Sequence, residues 1–189
     1  MVEPTDPVLA STAALVQQLQ SGEDAAFAAL YRAFAGVVHG IALAHGPRGA
    51  AEDVTQDVFM RAYLRRNELR DPAAFPGWLC TVARNAAVQA RRKARRRQAR
   101  APRADVNGVA SAAPGPERAA IAADDAGRVL DCIAELPAAY RETLVLRLCE
   151  GLGGAEIAAR TGRTHGSVRV NLTRGMALLR PLLRERGLP

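Results

Sequence analysis

An all-α protein is predicted, built as two small helical domains joined by a flexible linker, and three observations predict it. Period-2 alternation is missing along the chain, β-branched residues are sparse and alanine is abundant, so no segment reads as a strand. Apolar residues recur instead at spacings of three and four, the pattern of one buried helix face. Between two such stretches, residues 101–122 (APRADVNGVASAAPGPERAAIA) hold three prolines, two glycines and almost no large apolar side chain. That composition reads as a linker. The organisation that follows is an N-terminal extension at 1–22, a first domain at 23–100, the linker at 101–122 and a second domain at 123–189.

Within the first domain, Phe27, Leu30, Tyr31, Phe34, Val38 and Ile41 follow the i, i+3, i+4, i+7 rule. The HGP at 45–47 stops that helix. The next helix is expected from about Ala50 to Leu69, opening on AEDVTQD, whose acidic residues suit the positive end of a helix dipole. RDPAAFPG then makes a loop. The stretch from Trp78 to Arg100, WLCTVARNAAVQARRKARRRQAR, begins as an apolar helix and ends as a run of arginines.

In the second domain, Val129, Leu130, Ile133 and Leu136 make one apolar face, ended by Pro137. A helix from about Ala138 to Glu150 should turn Leu144, Val145 and Leu148 inward. A short helix then ends at Gly162, a residue type suited to the left-handed position after a helix. Thr164 is placed to cap the next helix. On that helix Val168, Leu172, Met176, Leu179 and Leu183 line one side, and Pro181 should kink or end it early.

Composition narrows the function. With 189 residues, 49% hydrophobic and 24% charged, the chain has the makeup of a soluble globular protein. No window approaches 18 uninterrupted apolar residues, and MVEPTDPVLAST lacks a basic segment followed by an apolar core. A cytoplasmic chain with no direct membrane insertion is therefore expected. Cys80, Cys132 and Cys149 lie far apart without C-x-x-C spacing, so they read as buried free thiols and not as a zinc site or disulfides. His39, His45 and His165 are scattered, with no carboxylate at metal-site spacing. No phosphate-cradling loop and no G-x-S-x-G is present. The expectation is no catalytic group, no metal and no cofactor.

Charge is distributed unevenly within the net +7. Residues 1–60 carry two basic and seven acidic side chains, whereas residues 61–103 carry thirteen basic and two acidic. One strongly cationic segment beside an anionic one suggests a polyanion on one surface and a basic protein partner on another.

Two patterns point to nucleic acid. The two helices around Gly162 read as a helix-turn-helix, whose second helix enters the DNA major groove. With Val168 and Leu172 buried, His165, Arg169 and Thr173 point outward, and Arg163 and Arg174 can reach phosphates. On the arginine-rich helix, steps of 100° place Phe75, Trp78, Leu79, Val82 and Ala86 on one stripe. Arg84, Arg91 and Arg95 fall opposite, suited to phosphates, while Asn85, Gln89 and Arg92 follow one edge. Amides can bond base edges and an aromatic can stack on an unpaired base.

At these residues the chain resembles a known family. AEDVTQDVFMRAY followed by FPGWLCTVARNAAVQARRK is similar to region 2 of the bacterial sigma-70 family. LPAAYRETLVLRLCEGLGGAEIAARTGRTHGSVRVNLTRGMALLR resembles region 4. A chain with only these two regions is similar to the extracytoplasmic-function (ECF) sigma factors, over about residues 23–98 and 124–184. The resemblance implies a non-catalytic promoter-specificity subunit of RNA polymerase. Glu52, Asp53, Gln56 and Asp57 would dock on the coiled-coil clamp of the largest subunit, and region 4 would meet the flap. The loop at Arg70–Pro76 would open the −10 element and capture a flipped base, and Trp78, Arg84, Asn85, Gln89 and Arg92 lie on the helix that follows. Arg163, Thr164, His165, Arg169, Thr173 and Arg174 would read the −35 element. An anti-sigma factor, often membrane-attached, is a further implied partner.

Three departures from the family pattern stand out. Gln89 occupies a place where many members carry an acidic residue, Gly153 and Gly154 replace a more polar turn and would loosen the helix they precede, and Pro181 is unexpected. The residues leave other readings open: a stand-alone helix-turn-helix regulator that needs no polymerase, an interaction protein that only sequesters another factor, or an RNA-binding helical protein.

Overall fold

The computed structural model describes the backbone of residues 7–100 and 117–188 and the side chains of residues 11–100 and 125–188. The described residues form eight α-helices and two single 3-10 turns, without a strand among them. The first four helices are α1 (Pro7–Gln20), α2 (Asp24–His45), α3 (Ala51–Leu64) and α4 (Phe75–Arg100), with the 3-10 turns Arg66–Glu68 and Pro72–Ala74 between α3 and α4. The second four are α5 (Glu117–Glu135), α6 (Ala138–Leu148), α7 (Gly154–Thr161) and α8 (His165–Glu185). Residues 101–116 of the expected linker lie outside the described residues, and its last six residues are the start of α5.

Helix α2 is the axis of the fold. Leu30, Phe34, Val38 and Ile41 are buried, as the apolar spacing requires, and so are Val37, Gly40, Ala42 and Ala44 on other faces. By length and composition α2 could cross a membrane. Here its apolar residues are covered by α1, α3, α4 and α6. Residues 1–22 are not a detached extension where they are described, because α1 packs on α2 with Val16 and Leu19 in the core. Helix α2 ends at His45, where the Gly46 N–H donates to Ala42 O at 2.7 Å before Pro47.

The two halves share a core. Leu146, Leu152, Ile157, Ala158 and Val168 join the buried cluster of α1–α4. A Cβ at Gly40 would lie 2.8 Å from Leu146 Cδ2, so a larger residue there would force the buried Leu146 side chain or α6 to shift. A second cluster of Cys132, Ile133, Leu136, Leu144, Val145 and Leu179 unites α5, α6 and α8.

Several expectations are corrected. Helix α3 stops at Leu64 and not near Leu69, because the chain tightens into the turn at Arg66–Glu68. Leu148 is exposed, since α6 turns Leu144, Val145 and Leu146 inward and ends at that residue. Cys80 and Cys132 are buried thiols, whereas Cys149 is exposed just past the end of α6. Pro181 does not end α8 early: the helix continues to Glu185. The ring is exposed, and Leu182, Leu183 and the buried Leu188 pack the last turn onto the second cluster. At the glycine pair, α7 starts at Gly154, and the Gly153 N–H donates to the Glu156 carboxylate at 2.8 Å.

Candidate nucleic-acid interface

Helix α4 is held by its apolar half and leaves the core with its basic half. Phe75, Leu79, Cys80, Ala83, Ala86 and Ala87 are buried. Phe75 meets Phe34 edge-on at 5.4 Å, and Trp78 leans on Phe75 at 5.9 Å with its own ring half-buried. Trp78 is thus both anchored and accessible. Asn85, Gln89 and Arg92 are exposed along one edge, and Arg95 to Arg100 are exposed throughout. Gln89, Lys93 and Arg97 line a groove of about 690 Å³, whose other wall on α3 carries Asp53, Asp57 and Arg61.

Arg84 corrects the reading of a phosphate-facing row. Its Nε and Nη2 donate to Glu142 of α6 at 2.7 and 2.9 Å. Arg91 is half-buried, and burial together with the Arg91 charge lowers the pKa of Arg141. The reason is tertiary: α6 and α7 cover the side of α4 that a lone helix would expose.

Glu142 is the hub of that contact, with a side chain only 2% exposed. It also accepts from His45 Nε2 at 3.2 Å and Arg163 Nη2 at 3.3 Å. Burial alone would push its carboxyl up. The hydrogen bonds from Arg84 and His45 and the charges of Arg84 and Arg163 outweigh burial and hold it at about 2. Beside it, burial and the Glu142 charge push the Cys80 thiol up to about 12. A second pair across the halves joins His39 Nδ1 to Glu150 at 2.9 Å.

The turn at 162–164 forms as its sequence requires. Gly162 adopts φ 66°, the left-handed position that glycine tolerates, and it lies against the backbone of Gly77, so a side chain would not fit. Thr164 Oγ1 accepts from the Ser167 N–H at 3.2 Å and caps α8. Val168 is buried, while His165, Arg169, Thr173 and Arg174 are exposed on one side of α8. Arg163 is turned away from this set by Glu142.

On α3, Glu52, Asp53, Gln56 and Asp57 are all exposed. The structure adds what the sequence reading missed. Met60 and Leu64 are 60% and 68% exposed, and Tyr31 is 40% exposed. Phe27, Tyr31, Phe59, Met60 and Tyr63 border a shallow groove of about 560 Å³ beside Gln56. The signal was available: Met60 and Leu64 fall at i+3 and i+7 from Asp57, apolar residues on an otherwise polar face. Among the described residues no group of three His, Cys, Asp or Glu side chains could hold a metal ion.

Comparison with known proteins agrees with this architecture. Residues 30–97 match the family model of sigma-70 region 2, and residues 126–179 match that of sigma-70 region 4. The chain is 32% identical over 180 residues to the ECF RNA polymerase sigma factor SigL of Mycobacterium tuberculosis, covering 92% of this chain and 98% of that one. The chain belongs to the sigma-70 family, in its ECF group. It is also 34% identical over 140 residues to a protein described as a "probable RNA polymerase sigma factor RfaY" of Xanthomonas campestris pv. campestris. That match takes in 72% of this chain, which spans only 35% of the length of RfaY. Among solved structures, CnrH in complex with the cytosolic domain of CnrY is similar in fold, with a TM-score of 0.57, 24% identity and 92% of this chain covered (97% of CnrH).

Proposed function

We infer that this sigma factor is the promoter-specificity subunit that binds core RNA polymerase, recognises −35 and −10 DNA and helps open the strands. The observation that carries the reading is the pairing, in one chain, of a region 2 bundle with an arginine-rich α4 and a region 4 helix-turn-helix with an exposed polar face. The region 2 match favours this over a stand-alone helix-turn-helix regulator, which has no need of a second helical module. The role asks for no catalytic group or cofactor and places the chain in the cytoplasm, where polymerase works.

The residue roles that the family resemblance implies fit the exposure of these side chains. His165, Arg169, Thr173 and Arg174 are presented as a −35 reader, with Thr164 fixing the start of their helix. Asn85, Gln89 and Arg92 are presented to −10 DNA, and Trp78 is half-open for stacking. The acidic row Glu52, Asp53, Gln56 and Asp57, extended by Met60 and Leu64, fits a basic and apolar clamp surface on polymerase. The exposed Leu148 and the groove it shares with Met176 and Arg180 suit the flap. An anti-sigma factor over such surfaces is part of the same proposal and rests on the family alone.

The arrangement described is a closed one. Arg84 and Arg163 share one carboxylate, so the two DNA-binding halves touch. Promoter elements about 25 base pairs apart are ~85 Å apart at about 3.4 Å per step. The halves therefore separate when both elements are bound, releasing Arg84 and Arg163 to phosphates.

Run-off transcription with purified core polymerase on genomic promoter fragments tests the reading. Discrete start sites that appear only with the chain are expected. No initiation, together with no co-elution with core polymerase, would overturn it.

A further inference from the structure

The loop that links α3 to α4 is anchored from a part of the chain outside the matched regions. Region 2 is matched from residue 30, whereas α1 ends at Gln20. The Gln20 carboxamide donates both of its N–H groups across the bundle, to Arg66 O at 2.8 Å and to Leu69 O at 2.9 Å. Those carbonyls stand at either end of the first 3-10 turn, where the chain leaves α3. Helix α1 also packs against the second turn, Pro72–Ala74.

The rest of the loop is fixed locally. Arg66 lies over the Tyr63 ring at 4.5 Å and donates to Tyr63 O at 2.9 Å. Asp71 Oδ1 accepts from the Ala73 N–H at 3.0 Å, and Phe75 is buried. Between these anchors Arg70, Asp71, Ala73 and Ala74 are exposed. No hydrogen bond from α2 or α3 to the Leu69 carbonyl competes with the one from Gln20 among the described contacts.

We propose that Gln20 is a positioning residue for strand opening: its two hydrogen bonds fix the Arg66–Leu69 turn and so hold the Arg70–Pro76 loop that follows it in the shape that receives an unpaired promoter base. This rests on the reading of the loop as the −10 capture element. Extruding a base from a duplex is unfavourable and is offset by contacts to the flipped base. A loop that had to order itself at that moment would lose freedom at every residue it fixes. A loop already held by α1 avoids that loss, so Gln20 acts on melting without touching DNA.

The test compares the full wild-type chain with Gln20→Leu, which keeps the size and removes both donors, and with Gln20→Glu, which sets acceptors against the two carbonyls. Each is assembled with core polymerase on a promoter found by the run-off experiment, as intact duplex and with the −10 region premelted. Loss of two ordinary hydrogen bonds predicts about a ten-fold drop in open complexes on duplex for Gln20→Leu, and a larger drop for Gln20→Glu. Near wild-type initiation on the premelted template is expected for both. In the free chains, amide hydrogen exchange should quicken at residues 66–74 and stay unchanged in α2, where Val16 and Leu19 still seat α1. Equal losses on both templates, no loss on duplex, or faster exchange throughout α2 would each overturn the proposal, the last by showing a general structural role. If the wild-type chain supports no promoter-specific initiation, the functional reading falls and this inference with it. Wild-type initiation with an unaffected Gln20→Leu removes this inference alone.

Discussion

Substituting Glu142 by glutamine keeps its shape and removes the charge on which the two halves converge. The carboxylate accepts two bonds from Arg84 and one each from His45 and Arg163, and its side chain is 2% exposed. Breaking a buried ion pair on one side leaves the other charge uncompensated, at about 3–5 kcal/mol. Arg84 and Arg163 keep 30% and 28% of their side-chain exposure and so some hydration, which favours the lower end. The lowered Glu142 pKa gives the same scale. A carboxyl held at about 2 against an ordinary 4.5 corresponds to roughly 3 kcal/mol. For a chain of this size that is roughly 6–12 °C in Tm.

Thermal unfolding of the free chain at neutral pH, followed by circular dichroism, reads this directly. Because the Glu142 pKa is lowered in the fold, its contribution is complete above 4.5 and is lost as pH falls towards 2. The wild-type chain should therefore lose its advantage over Glu142→Gln across that window. A Tm within about 2 °C of wild type at neutral pH, or an advantage that persists at pH 2, would refute the reasoning.

Other outcomes follow from the same geometry. Arg169→Ala should weaken binding of the assembled enzyme to −35 duplex by about 1–3 kcal/mol in a gel-shift titration if Arg169 reads a base, with core polymerase binding unchanged. Met60→Ala combined with Leu64→Ala removes exposed apolar surface, so co-elution with core polymerase should weaken about ten-fold while Tm stays within about 2 °C. Gly40→Ala places a Cβ 2.8 Å from Leu146 Cδ2, and this overpacking should lower stability by about 1–3 kcal/mol in urea unfolding.

How much of this was legible beforehand differs by residue. The apolar spacing of Leu30, Phe34, Val38 and Ile41 forces an amphipathic helix, and that helix is present with those residues buried. Gly162 and Thr164 are local signals, because a left-handed turn and an N-cap are satisfied within a few residues. The exposed row at 165–174 was equally readable from periodicity, since a helix face is fixed by its own sequence, whereas Glu52, Asp53, Gln56 and Asp57 were singled out by the family resemblance. Met60 and Leu64 were overlooked because a single apolar residue on a polar face is ordinary until its neighbours are seen to leave it uncovered.

The sequence by itself determined the existence of most helices, the caps at Gly162 and Thr164 and the basic half of α4, for these depend on residues three or four positions apart. Only the tertiary structure decided where Arg84 and Arg163 point, what a side chain at Gly40 would meet, and what Gln20 holds. Those facts depend on partners 46 to 58 positions away for Gln20 and Arg84, and on the packing of α6 against α2 for Gly40. A buried carboxylate must gather the cations within its reach, and which cations those are is set by how the two halves meet.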